Sequence, residues 1–426
     1  MAGKMEGHIL NLYEDLNMTF EDLRKISVGI LKEQIGSVEE KMDGQNLTFT
    51  VKDGRLRIFG KRMDRKILTE RGTIWETIDD NYSEITREGF RAAYFVIESH
   101  LKQFSKDDIE KVFKNGRVVI ESAMITPLVP VTIKYRNNYV RFIRPFSPFG
   151  EDIFSNEYKE AYDTLTHSES FYLDYDNRTW SIGPKPVLSV ISNKRQINKA
   201  CETVDREIFS LIRGCEREIS MKSTFEEYAT VAISQYIKDH HKKIPDSILK
   251  NVASRISKKK KSHFGLKQIR KLFPDSYTEI WDEVKEIERN EILVLSQSIL
   301  ELEILIQRIG SLVFDCLKFQ LATFPEQVKD LKKEVIKIKN AHKLGNVRVL
   351  NLSTGETRPL SKKWKMKLEV GIDRSKELQL LRKPVEGIVF TTSSGERRKL
   401  TGMFTAIHRL TGLFKFPLQG EKIVIS

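Results

Sequence analysis

The chain has 426 residues, of which 40% are apolar, 9% aromatic and 31% charged, a composition that excludes disorder on the scale of a domain. This length predicts two or three domains, each able to bury its own core. The formal net charge of +13 indicates a polyanionic partner such as nucleic acid.

Other features of the sequence argue against secreted and membrane proteins. Cys201, Cys215 and Cys316 are widely spaced, which predicts free thiols in a reducing compartment and neither a disulfide framework nor a zinc site. The most apolar stretch, 292–314, contains three charged residues and therefore predicts a buried helix. The first ten residues lack a long apolar segment, so no signal peptide is expected. We expect a cytoplasmic protein with no membrane partner, and no protein partner is predicted.

The predicted elements form strand-rich halves that flank a helical middle. Apolar spacing predicts helix over 1–36, and strands follow in "LTFTV" and "LRIFGKR" on either side of a "KDGR" turn. Helical patterns fill 71–115, and strand patterns return in "RVVIESAMITP", "VTIKY" and "YVRFIRPF". The sequence is helical from about 185 to 342, and strands resume in "VRVLNLS", "WKMKLEV", "EGIVFTT" and "ERRKLTGMF". The tail "TGMFTAIHRLTGLFKF" predicts a final helix.

This order of elements predicts an α+β fold in which an antiparallel-sheet core is interrupted by a large helical insertion. The predicted segments are the N-terminal part of the core over 1–150, a mainly helical and basic insertion over 151–345, and the C-terminal part of the core over 346–426.

One segment, 242–271, holds much of the excess charge, with eleven Lys and Arg against a single Asp. It is either a solvated helix face or a surface for the phosphate backbone of a nucleic acid. We favour the second interpretation, because consecutive lysines repel one another unless something offsets their charge. The candidate nucleic-acid-binding residues are Lys258, Lys259, Lys260, Lys261, Lys267 and Arg270.

The stretch "EKMDGQN" at 40–46 places Lys41 two residues before an Asp-Gly pair. Asp-Gly by itself predicts only a turn between strands. An amine that attacks a phosphate must be unprotonated, held in line, and surrounded by groups that absorb charge on the phosphoryl oxygens. Lys41 is the candidate amine, Asp43 a group that orients it or holds a metal-bound water, and Gly44 a residue that permits a sharp turn beside a nucleotide.

Further candidate residues lie downstream. "FGKR" places Lys61 and Arg62 after the next strand, where they can clamp phosphate or ribose. "PVEGIVF" places Glu386 on a strand, and "RRKLTG" places Lys399 on the strand that follows. A carboxylate and a lysine on neighbouring strands suit a metal site beside a phosphate site.

Taken in order, these motifs resemble those of the covalent nucleotidyltransferase superfamily, which includes polynucleotide ligases and mRNA capping enzymes. The resemblance covers about 1–150 and 346–426, and "EGIVF" followed by "KLTGMF" resembles the RNA-ligase-like proteins of bacteriophages in particular. It implies a ligase-like core, ATP as the nucleotide, Mg²⁺ with Mn²⁺ as a substitute, and RNA rather than DNA as the partner. It also implies RNA repair in the cytoplasm of a bacterial host.

The resemblance assigns roles to the motif residues. Lys41 would attack the α-phosphate of ATP, releasing pyrophosphate and leaving a lysyl-AMP. Asp43 and Glu386 would hold magnesium, Lys399 would contact the α-phosphate, and the basic pair 61–62 would contact the nucleotide or the acceptor end. In a ligase, AMP then passes to a 5′-phosphate, and a 3′-hydroxyl displaces it.

One motif departs from the family pattern. The third motif of the family is a strand with a Glu that contacts the ribose, four residues before a proline. In "VVIESAMITP" that position, counted back from Pro127, is Ala123, and Glu121 lies two residues earlier. Residues i and i+2 share a strand face, so Glu121 either reaches the same pocket or is a surface carboxylate, in which case the ribose contact is lost.

Two further departures favour a specialised RNA-ligase-like enzyme over a DNA ligase. The 27 residues that follow Lys399 are too few for an OB-fold domain, and the helical segment between the third and fourth motifs is much longer than is usual in the family, which suits a substrate-gripping insertion. No additional N-terminal domain for NAD⁺ is visible, which favours ATP. The alternatives are an enzyme that moves AMP or GMP to another acceptor, and a non-catalytic nucleic-acid-binding scaffold.

Overall fold

The computed structural model describes residues 9–60, 72–128, 133–149, 156–167, 171–215, 218–258, 266–392, 395–415 and 420–426. Within these residues the protein has an α+β fold with antiparallel and mixed sheets. The strands are β1 (Val38–Glu40), β2 (Gln45–Lys52), β3 (Arg55–Phe59), β4 (Val119–Ile125), β5 (Asn138–Phe146), β6 (Phe171–Tyr175), β7 (Arg178–Pro184), β8 (Ser189–Val190), β9 (Leu317–Lys318), β10 (Val347–Asn351), β11 (Thr357–Pro359), β12 (Gly387–Thr391), β13 (Arg397–Thr401) and β14 (Glu421–Ile425).

The helices of the described residues lie before, between and after these strands. They are α1 (Phe20–Leu31), α2 (Ile78–Asn81), α3 (Glu84–Leu101), α4 (Lys106–Phe113), α5 (Asn156–His167), α6 (Lys194–Arg213), α7 (Phe225–His240), α8 (Asp246–Ser257), α9 (Leu266–Leu272), α10 (Tyr277–Arg289), α11 (Glu291–Ser298), α12 (Leu300–Asp315), α13 (Glu326–Lys343), α14 (Lys362–Arg374) and α15 (Met403–Lys415).

Sheet A has the strand order β3-β2-β4-β5-β7-β6, in which β5 and β7 are parallel and the other pairs are antiparallel. Helices α3, α4 and α5 cover one face of it. The core between them and the sheet includes Leu47, Phe49, Phe90, Ile97, Phe113, Ile120, Val140, Phe142, Leu165 and Trp180. Since strand side chains alternate between faces, Asn46, Glu121 and Arg141 lie on the other face. Strands β6 and β7 lie beyond residue 150, so sheet A extends into the second predicted segment.

Sheet B has the antiparallel order β1-β12-β13 and joins strands from the two ends of the chain. One face packs against α1, α6 and α12 through a core that includes Val38, Ile388, Phe390 and Leu400. Burial of this apolar face provides the main favourable free energy for bringing the two ends together. The "EGIVF" motif therefore lies beside β1, the strand that leads into Lys41, and "KLTGMF" begins on β13, one strand further along the sheet.

Sheet C has the order β11-β10-β14 and packs against α13, α14 and α15. Its core also contains Ile125, Tyr135 and Tyr139, so this part of the chain covers one end of the polar face of sheet A. Helices α7 to α11 pack around a separate apolar core. That core includes Ile233, Ile237, Ile256, Ile269 and Val284.

The final predicted helix is confirmed as α15, and "EGIVFTT" and "ERRKLTGMF" are confirmed as the regions of β12 and β13. The strand predicted for "WKMKLEV" is wrong, because these residues form α14. The helix begins where the Ser361 hydroxyl accepts a hydrogen bond from the Trp364 N–H at 3.4 Å. Trp364, Leu368 and Gly371 are buried at helical spacing, so a short apolar alternation also fits one face of a helix.

Two further element predictions need correction. The described residues of "VTIKY", 133–135, form an isolated bridge at Tyr135 and no strand. Within the described part of 1–36, α1 is the α-helix, and it begins only after Thr19, whose hydroxyl accepts a hydrogen bond from the Asp22 N–H. Before Thr19, Leu12 and Tyr13 are buried in a short 3₁₀ turn, Leu12–Glu14, and Leu10 is exposed, so burial of the apolar residues did not require a longer helix.

The apolar stretch 292–314 forms α11 and most of α12, and most residues of α12 are buried in the protein. Among the described helices, none combines the length and the apolar character that a membrane span requires. Cys201, Cys215 and Cys316 are free thiols.

Candidate active site

Lys41 follows directly after β1, and the register of sheet B places it beside Glu386. Glu40 is opposite Ile388, and the Lys41 N–H donates a hydrogen bond to the Gly387 carbonyl at 2.9 Å. The Lys41 ammonium forms an ion pair with Oε1 of Glu386. About a fifth of each side chain is exposed, 20% and 21%, so the pair is sheltered but accessible to a ligand. The structure thus brings two of the predicted site residues into contact.

Glu386 is a half-buried carboxylate whose Oε2 has unused hydrogen-bonding capacity. Burial raises its pKa, and the nearby Asp43 raises the pKa further, whereas Lys41 and Lys399 lower it. Its Oε2 is buried and accepts no hydrogen bond from the described residues. An unsatisfied buried oxygen is costly unless a donor or a cation joins it. This atom is therefore a candidate ligand for a metal ion.

The donor set near Glu386 fits magnesium. Within the described residues there is no cluster of three or more His, Cys, Asp or Glu side chains that could hold a metal. Magnesium in phosphoryl-transfer sites commonly binds one or two carboxylates and completes its coordination with water and substrate phosphates. Glu386 and Asp43, which lie close enough to interact electrostatically, supply that number of carboxylates.

Two glycines permit the close approach of the backbone at this site. Gly387 has a φ of +148°, and a Cβ there would lie 2.3 Å from the Leu400 carbonyl oxygen. A Cβ on Gly44 would lie 2.9 Å from the Met124 carbonyl oxygen. Both positions therefore require glycine, one for its backbone conformation and both for space.

Asp43 is held by a segment that the sequence motifs did not include. Its N–H donates a hydrogen bond to Oη of Tyr135 at 3.1 Å, and its Oδ2 accepts one from the Ile133 N–H at 2.7 Å. Tyr135 is 2% exposed, so its hydroxyl is fixed by packing. The sequence offered no motif for Tyr135, because the predicted strand around it suggested only a structural role.

Lys399 lies on β13 opposite Val389, which in turn is opposite Glu39 on β1. Residues in one cross-strand row share a sheet face, and Lys41 is two residues beyond Glu39, so Lys41 and Lys399 share that face. Lys399 is 6% exposed, and burial lowers its pKa. Glu14 and Glu386 raise that pKa, while Lys41 lowers it. The two lysines therefore lie on one polar face with Glu386 close to both.

Glu121 lies on β4, on the same face of sheet A as Ala123. Its Oε2 accepts a hydrogen bond from Nε of Arg144 at 3.0 Å, and its Oε1 lies 3.5 Å from Nδ2 of Asn46. Ala123 is opposite Asn46 on one side and Arg141 on the other. Glu121 is thus a paired carboxylate on the polar face of the sheet and not an isolated surface group. Nη2 of Arg144 is buried without a hydrogen-bond partner among the described residues.

The basic segment belongs to the helical region. Lys258 caps the end of α8 and lies 3.7 Å from the Glu226 carboxylate, and the Arg270 guanidinium lies over the Tyr277 ring at 5.3 Å. Lys267 lies in α9. The remaining predicted basic residues, Lys259, Lys260, Lys261, Lys61 and Arg62, lie outside the described residues.

Charged residues that the sequence reasoning missed surround Lys41. Glu39 pairs with Lys185 at 2.6 Å and with Arg397 at 2.7 Å. Glu40 is buried and accepts two backbone hydrogen bonds from Gln320 and Leu321. The consecutive carboxylates in "EEK" were the available indication, because one of two neighbouring strand residues must face the apolar side of a sheet covered by helices.

Comparison with models of known protein families, with curated proteins and with solved structures gives no match for this chain.

Proposed function

We propose that this protein is an ATP-dependent RNA ligase that acts through a covalent lysyl-AMP on Lys41. The observation that carries the proposal is the contact between Lys41 and Glu386, with Lys399 on the same sheet face. The motif residues come from opposite ends of the chain, and the fold brings them together. Attack on the α-phosphate of a nucleotide needs an amine, two carboxylates and a second lysine, and these groups are present at this site.

In the proposed reaction, Nζ of Lys41 first gives up its ion pair with Glu386 and loses its proton to solvent water, which reaches the exposed fifth of its side chain. The amine then attacks the α-phosphorus of ATP, so that a P–N bond forms and the P–O bond to pyrophosphate breaks. Lys399 is placed to neutralise charge on the phosphoryl oxygens. Magnesium, held by Glu386 and Asp43, would supply further charge neutralisation and orient the phosphates.

The second half of the reaction transfers AMP. A 5′-phosphate oxygen of the acceptor displaces Lys41 from the phosphorus, and a 3′-hydroxyl then displaces AMP to join the strands. Positioning and charge stabilisation are what the protein must supply in these steps. The preference for RNA follows from the motif resemblance. The ligase-like core and its helical insertion, as the substrate-gripping part, belong to the same proposal.

The experiment is incubation with α-³²P-labelled ATP or GTP and magnesium, followed by a denaturing gel. We expect a label from ATP in the native protein and none in Lys41→Ala or Lys41→Arg. Arginine keeps a cation beside Glu386 but stays protonated, so it controls for loss of the ion pair. Lys102→Ala, which removes a surface ion pair with Glu98, should keep the label.

The acceptor is identified by adding 5′-phosphorylated RNA or DNA to the labelled protein. Transfer of AMP to RNA and formation of a longer strand would support the ligase. A label that passes to neither nucleic acid would favour transfer of AMP to another acceptor, and a label from GTP would change the nucleotide. Folded protein that takes no label from either nucleotide would overturn the enzyme proposal in favour of a nucleic-acid-binding scaffold.

A further inference from the structure

Glu40 lies directly before Lys41 and carries a buried carboxylate, with only 4% of the residue exposed. Its Oε2 accepts hydrogen bonds from the N–H groups of Gln320 at 2.9 Å and Leu321 at 3.2 Å. Both donors belong to residues 319–325, which we call the connecting segment because they join β9 to α13. The carboxylate thus ties the residue before the nucleophile to the connecting segment.

This contact carries an electrostatic cost. Burial raises the pKa of Glu40 to about 7, although the two N–H groups and Arg141 act to lower the pKa. A buried carboxyl next to a reactive residue is an expensive arrangement that a purely structural β-strand does not need.

The other end of the turn 41–43 is tied to the same connecting segment. Oη of Tyr135 accepts the hydrogen bond from the Asp43 N–H, and Tyr135 forms a backbone bridge with Thr323. Next to this bridge, the Phe324 N–H donates to the Lys134 carbonyl at 3.1 Å. The connecting segment therefore reaches Asp43 through a single buried side chain.

The connecting segment is itself anchored to the sheets. The Ala322 N–H donates to Oη of Tyr139 on β5 at 3.2 Å. The side-chain amide of Gln320 donates to the Val187 carbonyl at 2.6 Å, and Val187 bridges to Glu39 on β1. The connecting segment is thus a fixed support that contacts Glu40 directly and reaches Asp43 through Tyr135.

We propose that Glu40 and Tyr135 are positioning residues, which hold the turn 41–43 in its reactive geometry by fixing its two ends to the connecting segment. This inference rests on the proposed role of Lys41 as the nucleophile. Because the connecting segment lies between α12 and α13, the placement of Lys41 depends on how these two helices pack, and not only on sheet B.

The first test measures the single-turnover rate of Lys41 labelling with α-³²P-ATP. In Glu40→Ala we expect the rate constant to fall about tenfold or more, with the KM for ATP changed by less than about threefold, because misplacement of an attacking atom slows the chemical step. Glu40→Gln keeps an oxygen acceptor for both N–H groups and should restore most of the rate. Tyr135→Phe, which removes the acceptor for the Asp43 N–H, should also slow labelling.

Matched controls are Glu98→Ala, a surface carboxylate, and Tyr94→Phe, whose hydroxyl donates to the Leu56 carbonyl away from the site. Both should label at the native rate. Native labelling in Glu40→Ala and Tyr135→Phe, or a rise in KM with an unchanged rate constant, would overturn the inference while leaving the ligase proposal intact. An unlabelled native protein would instead refute the nucleophile.

A second test does not depend on activity. Amide hydrogen exchange of the peptide that contains Gln320 and Leu321 should accelerate in Glu40→Ala and remain near native in Glu40→Gln, because only the alanine removes the acceptor. Unchanged exchange in Glu40→Ala, in a folded protein, would refute the anchoring contact.

Discussion

At the scale of single residues, the site keeps charged side chains in a sheltered environment, which is unfavourable unless the charges are paired. Glu386 is kept in the sheltered face by two lysines, one in direct contact and one close enough to lower its pKa. Removing one partner of such a set leaves the other charge buried and uncompensated, which costs more than the intact pair contributes. This is why the arginine variant of Lys41 is the better probe of chemistry, and the alanine variant also perturbs Glu386.

Glu40 should make the stability of the protein depend on pH. Its folded-state pKa, about 7, lies above the ordinary value of 4.5, so the folded protein holds a proton that the unfolded chain has released. The free energy of unfolding should therefore fall as pH rises from about 4.5 to 7. Because each pKa unit corresponds to about 1.36 kcal/mol, the free energy of unfolding should fall by on the order of 3 kcal/mol over this range.

Glu40→Gln carries no charge and should not show this loss. Urea unfolding at pH 5 and pH 8 measures the free energy of unfolding of both proteins. The value for Glu40→Gln, relative to that of the native protein, should be higher at pH 8 than at pH 5 by on the order of 3 kcal/mol. Glu98→Gln, which removes a surface carboxylate, is the comparison. Its free energy of unfolding should fall between pH 5 and pH 8 as much as that of the native protein. If the gap between Glu40→Gln and the native protein is the same at both pH values, the carboxyl does not titrate differently in the folded state.

At the scale of elements, sheet B shows what short motifs can predict. The motifs of β12 and β13 carry β-branched and aromatic residues between turn residues, and these local preferences agree with the final pairing. The register between β1 and β12 is a tertiary property, and only the family resemblance suggested that Lys41 and Glu386 would meet.

Other elements could not be predicted from local patterns. The "WKMKLEV" stretch satisfies both a period of two and one face of a helix, and packing against α15 and sheet C decides in favour of α14. The contacts of Glu40 and Tyr135 join residues far apart in the chain to backbone groups, which carry no sequence signature. The sequence motifs therefore named the candidate site residues, and no motif pointed to the residues that hold them.

Gly387, the first residue of β12, is a position at which substitution should be costly. Gly387→Ala combines a φ of +148° with a Cβ that would meet the Leu400 carbonyl oxygen at 2.3 Å. We expect the free energy of unfolding to fall by about 3 kcal/mol or more, because strain and overlap both contribute.

Gly395 separates these two causes. It also has a positive φ, +80°, but a Cβ there would meet nothing within 4 Å. Gly395→Ala should therefore cost only about 1 kcal/mol, from backbone strain alone. Chemical denaturation of both variants checks the difference, and equal losses would show that the close approach of β12 and β13 contributes nothing.

At the scale of the whole molecule, the described basic residues of the segment 242–271 and the candidate site belong to different elements. The site lies at sheet B, while Lys258 follows α8 and Lys267 and Arg270 lie in α9. If that segment binds the phosphate backbone, it contributes affinity and not chemistry. Its effect should then appear in the dependence of binding on salt.

Replacing Lys259, Lys260 and Lys261 with alanine should weaken binding of single-stranded RNA and flatten the plot of log K against log[salt] by up to about two units, since each phosphate contact contributes about 0.7. Self-labelling with ATP should be unchanged. As a control, alanine at Lys102, Lys106 and Lys111, around α4, removes an equal amount of positive charge. A slope that changes equally in both triple variants would point to net charge and not to a local surface.

The pairing of β1 with β12 also constrains the order of events during synthesis. Lys41 is made long before the strand that supports it and the carboxylate that contacts it. Contacts so distant in sequence form only after a large loop has closed, which delays them relative to the helical region between. On the proposed role of Lys41, a nascent chain would therefore carry an unreactive lysine until β12 and Glu386 have been made and have paired with the strand before Lys41.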